Sequence, residues 1–159
     1  MSKRRVLITG ASAGIGRALA GVYAAEGWDL ILTARRKAPL EALARELGAA
    51  HGCDARVILA DLGAEGAVDR LVAEIRAQGL TVDGLVNTAG FSGTEGFLNT
   101  PPADQQAMIR VMLTVPVQLS RALVPDMVER GFGRVLNVAS LAGRMPATGG
   151  ETMYGPIKS

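Results

Sequence analysis

Val6-Leu7-Ile8-Thr9-Gly10-Ala11-Ser12-Ala13-Gly14-Ile15-Gly16 joins a short apolar run to a glycine-rich turn, and a helix-forming stretch follows at residues 17–26. Gly10 can take the backbone angles of a sharp turn, Gly14 leaves room for a diphosphate, and Gly16 lets the helix pack close to its strand. The free N–H groups at the start of that helix then face the phosphates. The stretch therefore predicts a strand, turn and helix that bind a phosphate-bearing ligand.

Composition sets the broad class of the protein. A chain of 159 residues with 48% hydrophobic residues can build one domain with a proper core. The net charge is only +2, the 17 basic residues are scattered along the chain, and aromatic residues make up 4%. These three observations disfavour a nucleic-acid partner. Cys53 has no second cysteine to pair with, and His51, Cys53 and Asp54 are too few for a metal site. No stretch approaches the roughly 20 apolar residues of a membrane span, so we expect a soluble cytoplasmic protein.

Apolar runs alternate with amphipathic stretches along the chain. This alternation indicates strands buried on both faces and joined by right-handed helical crossovers. We therefore predict an α/β fold with an open, doubly wound parallel sheet, a Rossmann fold, as a single domain over residues 1–159. Pro116 is expected to kink the last helix or mark a local break in it. The predicted strands are residues 6–9, 29–34, 56–60, 84–87 and 134–139, and the predicted helices are residues 15–26, 39–47, 64–78 and 104–130.

Polar residues follow each predicted strand. Parallel sheets of this kind bind ligands outside the carboxyl ends of their strands, where the strand order reverses. We therefore expect these residues to converge on one crevice. They are residues 9–12, Arg35 and Arg36, Asp61, residues 87–90, and Ser140.

The residues after the second strand select between two dinucleotides. An acidic residue there would bind a free ribose 2′-hydroxyl, whereas an arginine pairs with a 2′-phosphate. The chain has Arg35 and Arg36 and no Asp or Glu at this place, which predicts NADP(H) in preference to NAD(H). Asp61 could accept a hydrogen bond from the adenine amino group, or it could cap the helix that follows.

Tyr154 and Lys158 are four residues apart and would share one face of a helix. An ammonium beside a phenol favours the phenolate, which suits a proton donor and acceptor for a carbonyl and alcohol pair. Ser140 would donate a hydrogen bond to the same substrate oxygen. Each of these features is common when taken alone.

Taken together, the motifs resemble the short-chain dehydrogenase/reductase family over residues 3–158. Their order and spacing agree with those of the family along the whole chain. The matching residues are Thr9-Gly10-x-x-x-Gly14-x-Gly16, Asp61-Leu62, Asn87-Thr88-Ala89-Gly90, Asn137-Val138-Ala139-Ser140 and Tyr154-x-x-x-Lys158.

The resemblance implies an enzyme that transfers a hydride between NADP(H) and a carbonyl or secondary alcohol. In this interpretation Tyr154 is the acid/base, Lys158 binds the nicotinamide ribose and tunes Tyr154, and Ser140 positions the substrate oxygen. The resemblance also implies a homodimer or homotetramer formed through residues 104–130 and the helix of the Tyr/Lys pair. The predicted cofactor-binding residues are Gly10, Ser12, Gly14, Ile15, Gly16, Arg35, Arg36, Asp61, Leu62, Asn87, Ala89, Gly90 and Lys158.

The chain departs from the family pattern at several places. Met112 stands where relatives usually have an asparagine that holds a water in a proton relay, and Thr88 replaces a commoner asparagine. Ser140 and Tyr154 are about one residue further apart than usual, so the loop between them is expected to bulge. Family members are longer, so the substrate-binding part would be absent and the last predicted strand would form an exposed sheet edge.

Three interpretations stay open on the sequence alone. The first is the NADP(H)-dependent oxidoreductase, and the second is a non-catalytic dinucleotide-binding module or an inactive fragment of such an enzyme. The third is a nucleotide-binding fold with another ligand, such as S-adenosylmethionine, which the Tyr/Lys pair and Arg35 disfavour. The identity of the substrate cannot be read from the sequence.

Overall fold

The computed structural model describes residues 3–92, 96–145 and 153–159. Its centre is a sheet of five strands in the order β3-β2-β1-β4-β5, and every neighbouring pair is parallel. This is the predicted doubly wound α/β sheet, and the order reverses between β1 and β4. The strands are β1 (Arg5–Thr9), β2 (Asp29–Ala34), β3 (Ala55–Leu59), β4 (Gly84–Asn87) and β5 (Arg134–Asn137).

Helices cover both faces of this sheet. The central strands β1, β2 and β4 are largely apolar because alternate residues enter two separate cores. Leu7, Ile31 and Leu85 belong to the first core, and Ile8 and Leu32 belong to the second. The helices are α1 (Gly14–Ala25), α2 (Lys37–His51), α3 (Ala67–Ala77), α4 (Pro102–Ile109), α5 (Val115–Glu129) and α6 (Tyr154–Lys158).

The helical run between β4 and β5 carries the irregularity that the sequence predicted near Pro116. A π-helical segment, Arg110–Thr114, joins α4 to α5, and the Val115 N–H bonds the carbonyl of Arg110. Pro116 has no N–H to donate to the carbonyl of Met112, so the regular bonding pattern cannot continue there. The run continues past the proline as a helix, so the predicted break takes the form of a local change of helix type.

The same run is apolar enough to resemble a membrane span. Residues Pro102–Glu129 form 28 helical residues with a mean hydropathy of 1.4 in their most apolar window. The expectation that no stretch approaches a span is therefore wrong by length and composition. Leu119, Leu123 and Met127 nevertheless lie in the core against the sheet, and core helices pass the same test.

Several predicted boundaries need correction. Helix α2 runs to His51, beyond the predicted end at residue 47, and closes on Gly52 in the left-handed conformation. Helix α3 begins at Ala67 rather than residue 64, because the left-handed Gly66 precedes it. Strand β5 ends at Asn137 instead of residue 139 and lies at an edge of the described sheet, with all four of its residues exposed.

A polar network ties the amino ends of the strands together, opposite the predicted crevice. The Arg5 guanidinium lies 3.1 Å from Asp29 Oδ2 and 3.1 Å from Asp54 Oδ2. The Asp54 N–H donates to Asp29 Oδ1 at 2.9 Å, and the Arg5 N–H donates to Asp83 Oδ2 at 3.0 Å. These bonds join the amino ends of β1, β2, β3 and β4, at the end of the sheet opposite the crevice.

Candidate functional site

A crevice of about 760 Å³ opens at the carboxyl ends of β1 to β4. It lies at the point where the strand order reverses, which is the place that this sheet topology predicts. Its volume falls within the range of cofactor and ligand pockets. Its lining includes Gly10, Ser12, Gly14, Ile15, Gly16, Arg35, Arg36, Asp61, Leu62, Ala89 and Gly90.

Three glycines shape the turn between β1 and α1. Gly10 has φ +67°, and a Cβ there would lie 2.9 Å from Ala89 Cα. A Cβ on Gly16 would lie 2.6 Å from the carbonyl oxygen of Gly10, so α1 approaches its own strand too closely for any side chain. Gly14 has φ +55° and no atom within 4 Å of its Cβ position. Gly10 and Gly16 are therefore required by packing, whereas Gly14 keeps its conformation beside open space.

The first turn of α1 keeps its backbone N–H groups available. Its N-cap residue, Ala13, makes no side-chain capping bond, and the first turn contains no acidic residue. Uncapped N–H groups at a helix N-terminus attract anions because of the helix dipole. The crevice therefore has an anion-attracting floor at this place.

Positive side chains stand on the opposite wall. Arg35 and Arg36 are exposed at the end of β2 and both line the crevice. Arg36 donates a hydrogen bond of 3.4 Å to Ser12 Oγ, so this guanidinium lies over the glycine turn. Arg35, Arg36 and the glycine turn were expected to converge on one crevice, and the structure brings them together there.

Asp61 and Leu62 follow β3 and also line the crevice. Asp61 Oδ1 accepts a hydrogen bond of 3.0 Å from the Gly63 N–H, and the Asp61 carbonyl accepts one from Ala64. These bonds form a turn well before α3, so the proposed helix-capping role of Asp61 is wrong. Leu62 is buried and packs in the first core.

Asn87 ends β4 and lies below the crevice surface. Its side chain is 6% exposed, and its Nδ2 donates to Asn137 Oδ1 at 2.8 Å, which joins β4 to β5. Asn87 is not among the lining residues, unlike its neighbours Ala89 and Gly90. The structure thus gives Asn87 a supporting position within the sheet.

Met112 fills the space behind Gly90. Its side chain is 7% exposed, and a Cβ on Gly90 would lie 2.9 Å from Met112 Sδ. A thioether offers only a weak acceptor and no N–H or O–H donor. This part of the site is therefore apolar where the family pattern led us to expect an asparagine.

The Tyr154–Lys158 pair lies on α6, as the spacing predicted. Lys158 Nζ lies 5.9 Å from the centre of the Tyr154 ring and donates a hydrogen bond of 2.7 Å to the Val138 carbonyl. Tyr154 is partly buried and packs against the first core. Ser140 lies three residues after the end of β5. Its Oγ accepts a hydrogen bond of 3.2 Å from the Ala142 N–H and so caps a short 3₁₀ turn.

These three residues do not line the crevice described above. The sequence expected five strand ends to meet in one crevice, and the structure brings four of them together there. The loop that was expected to bulge between Ser140 and Tyr154 falls in part on residues 146–152, which lie outside the described residues.

Sequence reasoning missed part of the crevice wall. Asp104, Ala107 and Val111 line it from α4 and the π-helical segment. Thr88, noted only as a departure from the family pattern, also lines it and bonds the carbonyl of Thr9 through its hydroxyl. No local pattern in the sequence indicates the first three, because their place on the wall depends on how the helical run packs over the strand ends.

Comparisons with known proteins agree with this geometry. The NADP-dependent 3-hydroxy acid dehydrogenase YdfG of Salmonella typhi is 36% identical over 157 residues, which are 97% of this chain and 60% of that protein. A short-chain dehydrogenase of Sphingobium yanoikuyae in complex with NADPH is 33% identical, with a TM-score of 0.89 over 98% of this chain and 60% of that one.

A third similar structure is L-sorbose reductase from Gluconobacter frateurii, complexed with NADPH and L-sorbose. It is 32% identical and has a TM-score of 0.90 over 99% of this chain and 60% of that one. The chain therefore spans about 60% of the length of these relatives. The family model for short chain dehydrogenase matches residues 4–158. On this match, and on the strand order and glycine turn that accompany it, the chain belongs to the short-chain dehydrogenase family.

Proposed function

We propose that the chain binds NADP(H) in the crevice and is the dinucleotide-binding part of an oxidoreductase acting on a carbonyl or secondary alcohol. The observation that carries the proposal is the crevice itself: uncapped α1 amides face two exposed arginines across one cavity at the switch point of the sheet. Relatives named as NADP-dependent or solved with NADPH support the choice of cofactor.

The residues present fit this cofactor. The open position beside Gly14 gives a diphosphate room to approach the α1 amides. Arg35 and Arg36 would hold the ribose 2′-phosphate, because guanidinium groups bond phosphate oxygens in pairs. Asp61 and Leu62 would hold the adenine, and Ala89 and Gly90 would line the path beyond it. Asn87 would act from below, by fixing the end of β4.

The chemistry would be carried by α6. When bound, NADP(H) supplies or accepts the hydride. Tyr154 would donate a proton to the carbonyl oxygen during reduction and accept one during oxidation. Lys158 would stabilise the phenolate of Tyr154 and bind the nicotinamide ribose, and its bond to the Val138 carbonyl supports a fixed position for its ammonium group. Ser140 would donate a hydrogen bond to the substrate oxygen.

Binding and chemistry can be tested separately. Titration of the chain with NADPH and with NADH should give at least tenfold tighter binding of NADPH, since charge-assisted hydrogen bonds contribute about 1.5–3 kcal/mol. Equal or tighter binding of NADH would refute the cofactor assignment. No binding of either nucleotide would refute the proposal as a whole.

The catalytic roles are tested by NADPH consumption with a panel of ketones, aldehydes and 3-oxo acids. Tyr154→Phe should lower turnover by about 10²–10⁴-fold while NADPH still binds. Tyr23→Phe is the matched control, because Tyr23 is the only other tyrosine of the sequence, lies on α1 and packs against the Trp28 ring. If NADPH binds but no carbonyl in the panel is reduced, and Tyr154→Phe changes no residual rate, the non-catalytic binding module is favoured instead.

We further propose a homodimer or homotetramer that forms through α5 and the helix of the Tyr/Lys pair. Leu113 and Val117 are 51% and 61% exposed, and their four-residue spacing places them on one face of the helical run. Light scattering of the wild type and Val117→Glu should show a loss of the oligomer in the variant. We assign the protein to the cytoplasm, where its single buried cysteine would remain reduced.

A further inference from the structure

The hydroxyl of Thr88 connects the two loops that form the crevice. Thr88 is the first residue after β4, and its hydroxyl donates a hydrogen bond to the carbonyl of Thr9, the last residue of β1. A Cβ on Gly16 would lie 2.7 Å from this same hydroxyl oxygen. The group is therefore in contact with both the end of β1 and the first turn of α1.

The contact between the two loops is reciprocal. Thr9 Oγ1 accepts hydrogen bonds of 3.1 Å from both the Thr88 and Ala89 N–H groups, and it donates to the Val86 carbonyl at 3.3 Å. Gly10 packs against the Ala89 backbone, since a Cβ there would lie 2.9 Å from Ala89 Cα. The Thr9 hydroxyl and the Gly10–Ala89 backbone contact hold the end of β1 against the end of β4, and the Thr88 hydroxyl adds a second side-chain bond at the point nearest α1.

We propose that Thr88 is a positioning residue for the cofactor pyrophosphate. Its hydroxyl holds the Thr9 carbonyl and sets how closely Gly16 approaches β4, and so fixes the α1 amides at the floor of the crevice. The inference rests on the proposed function, because it assumes that a dinucleotide occupies this crevice. The arginines that would hold the 2′-phosphate lie at the end of β2, and Arg36 reaches the turn through Ser12 rather than through Thr88.

Two ligands separate a positioning role from a general structural one. NADPH carries both the pyrophosphate and the 2′-phosphate, whereas adenosine 2′-monophosphate carries only the latter. Thr88→Val removes the donor with little change in side-chain volume and leaves the Thr9 carbonyl without this partner. We expect it to raise the Kd for NADPH about tenfold and to leave the Kd for adenosine 2′-monophosphate within twofold.

Two further variants complete the design. Thr88→Ser keeps the hydroxyl and should restore the Kd for NADPH to within twofold of the wild type. Thr100→Val is the matched control, because Thr100 is buried away from the crevice and its hydroxyl likewise donates to a carbonyl, that of Gly96, at 2.7 Å. Its NADPH affinity should be unchanged even if its unfolding midpoint falls. Thr88→Ala removes the same hydroxyl with less crowding and replaces Thr88→Val if that variant does not fold.

Each outcome decides the question. An unchanged Kd for NADPH in Thr88→Val and Thr88→Ala overturns the inference and leaves the proposed function intact. An equal loss of affinity for both ligands also overturns it, because the hydroxyl would then support the fold in general. If the wild type binds adenosine 2′-monophosphate and not NADPH, or binds neither, the proposed function fails first and the inference falls with it.

Discussion

Replacing Gly16 with alanine should destabilise the protein and weaken NADPH binding, although alanine is the better helix former. The new Cβ would lie 2.6 Å from the Gly10 carbonyl oxygen and 2.9 Å from its carbon. Both atoms belong to the backbone of the turn, so no side-chain rotation can relieve the contact. Either α1 or the turn must move by several tenths of an ångström.

The magnitude follows from two opposing terms. Overpacking of this kind costs about 1–3 kcal/mol, and the higher helix propensity of alanine returns up to about 1 kcal/mol, less in the first turn. We therefore expect a net loss of about 1–2 kcal/mol in the free energy of unfolding. Because the displaced groups include the amides that would face the pyrophosphate, the Kd for NADPH should rise at least tenfold.

Gly21→Ala is the matched control. Gly21 lies inside the same helix, with a φ that suits any residue and no atom within 4 Å of its Cβ position. The same chemical change should here raise the free energy of unfolding by about 0.5–1 kcal/mol and leave the Kd unchanged. Urea unfolding and NADPH titration of both variants provide the comparison. If Gly16→Ala behaves like Gly21→Ala in both measurements, the close approach of α1 to β1 is not what holds the site.

Three other predictions address different parts of the molecule. Arg36→Ala should raise the Kd for NADPH about tenfold and leave that for NADH unchanged, whereas Arg45→Ala on the exposed side of α2 should change neither. Arg5→Met should cost about 2–4 kcal/mol of stability at pH 7 in urea unfolding, because it leaves the largely buried Asp29 without its cation, whereas Asp54 keeps its ion pair with Arg56. Burial raises the pKa of the Cys53 thiol above its usual 9.0, so the thiol stays protonated to a higher pH in the folded state than in the unfolded chain. Stability should therefore fall as the pH rises above about 9, and this part of the fall should vanish in Cys53→Ala.

The sequence predicted the parts of the structure that depend on local patterns. The five predicted runs became five parallel strands. The central strands β1, β2 and β4 were the plainest, because strands buried on both faces have no polar alternation to confuse with loops. The spacing of Gly10, Gly14 and Gly16 predicted a turn whose packing the structure confirms at Gly10 and Gly16. The positions of Arg35 and Arg36 on the crevice wall followed from the topology alone.

The parts that sequence reasoning missed depend on contacts between distant segments. Nothing near Asp61 in the sequence shows that its carboxylate closes a turn with Gly63, since an N-cap and a turn need the same residue type. The place of Val111 on the crevice wall depends on a π-helical segment that only the bonding of the folded helix reveals. The bond from Thr88 to Thr9 spans two strands that are far apart in the sequence.

The nucleotide crevice and helix α6, which carries the Tyr154–Lys158 pair, are stabilised by different contacts. The crevice is formed by loops at the ends of β1 to β4, which are joined by ladder bonds and by the Thr9 and Thr88 hydroxyls. Helix α6 has only five residues, so it has little stability of its own and depends on packing. Tyr154 and Ile157 pack against the first core, and Lys158 bonds the Val138 carbonyl at the exposed end of β5. Nucleotide affinity and turnover should therefore respond to different substitutions, because the first depends on the centre of the sheet and the second on its edge.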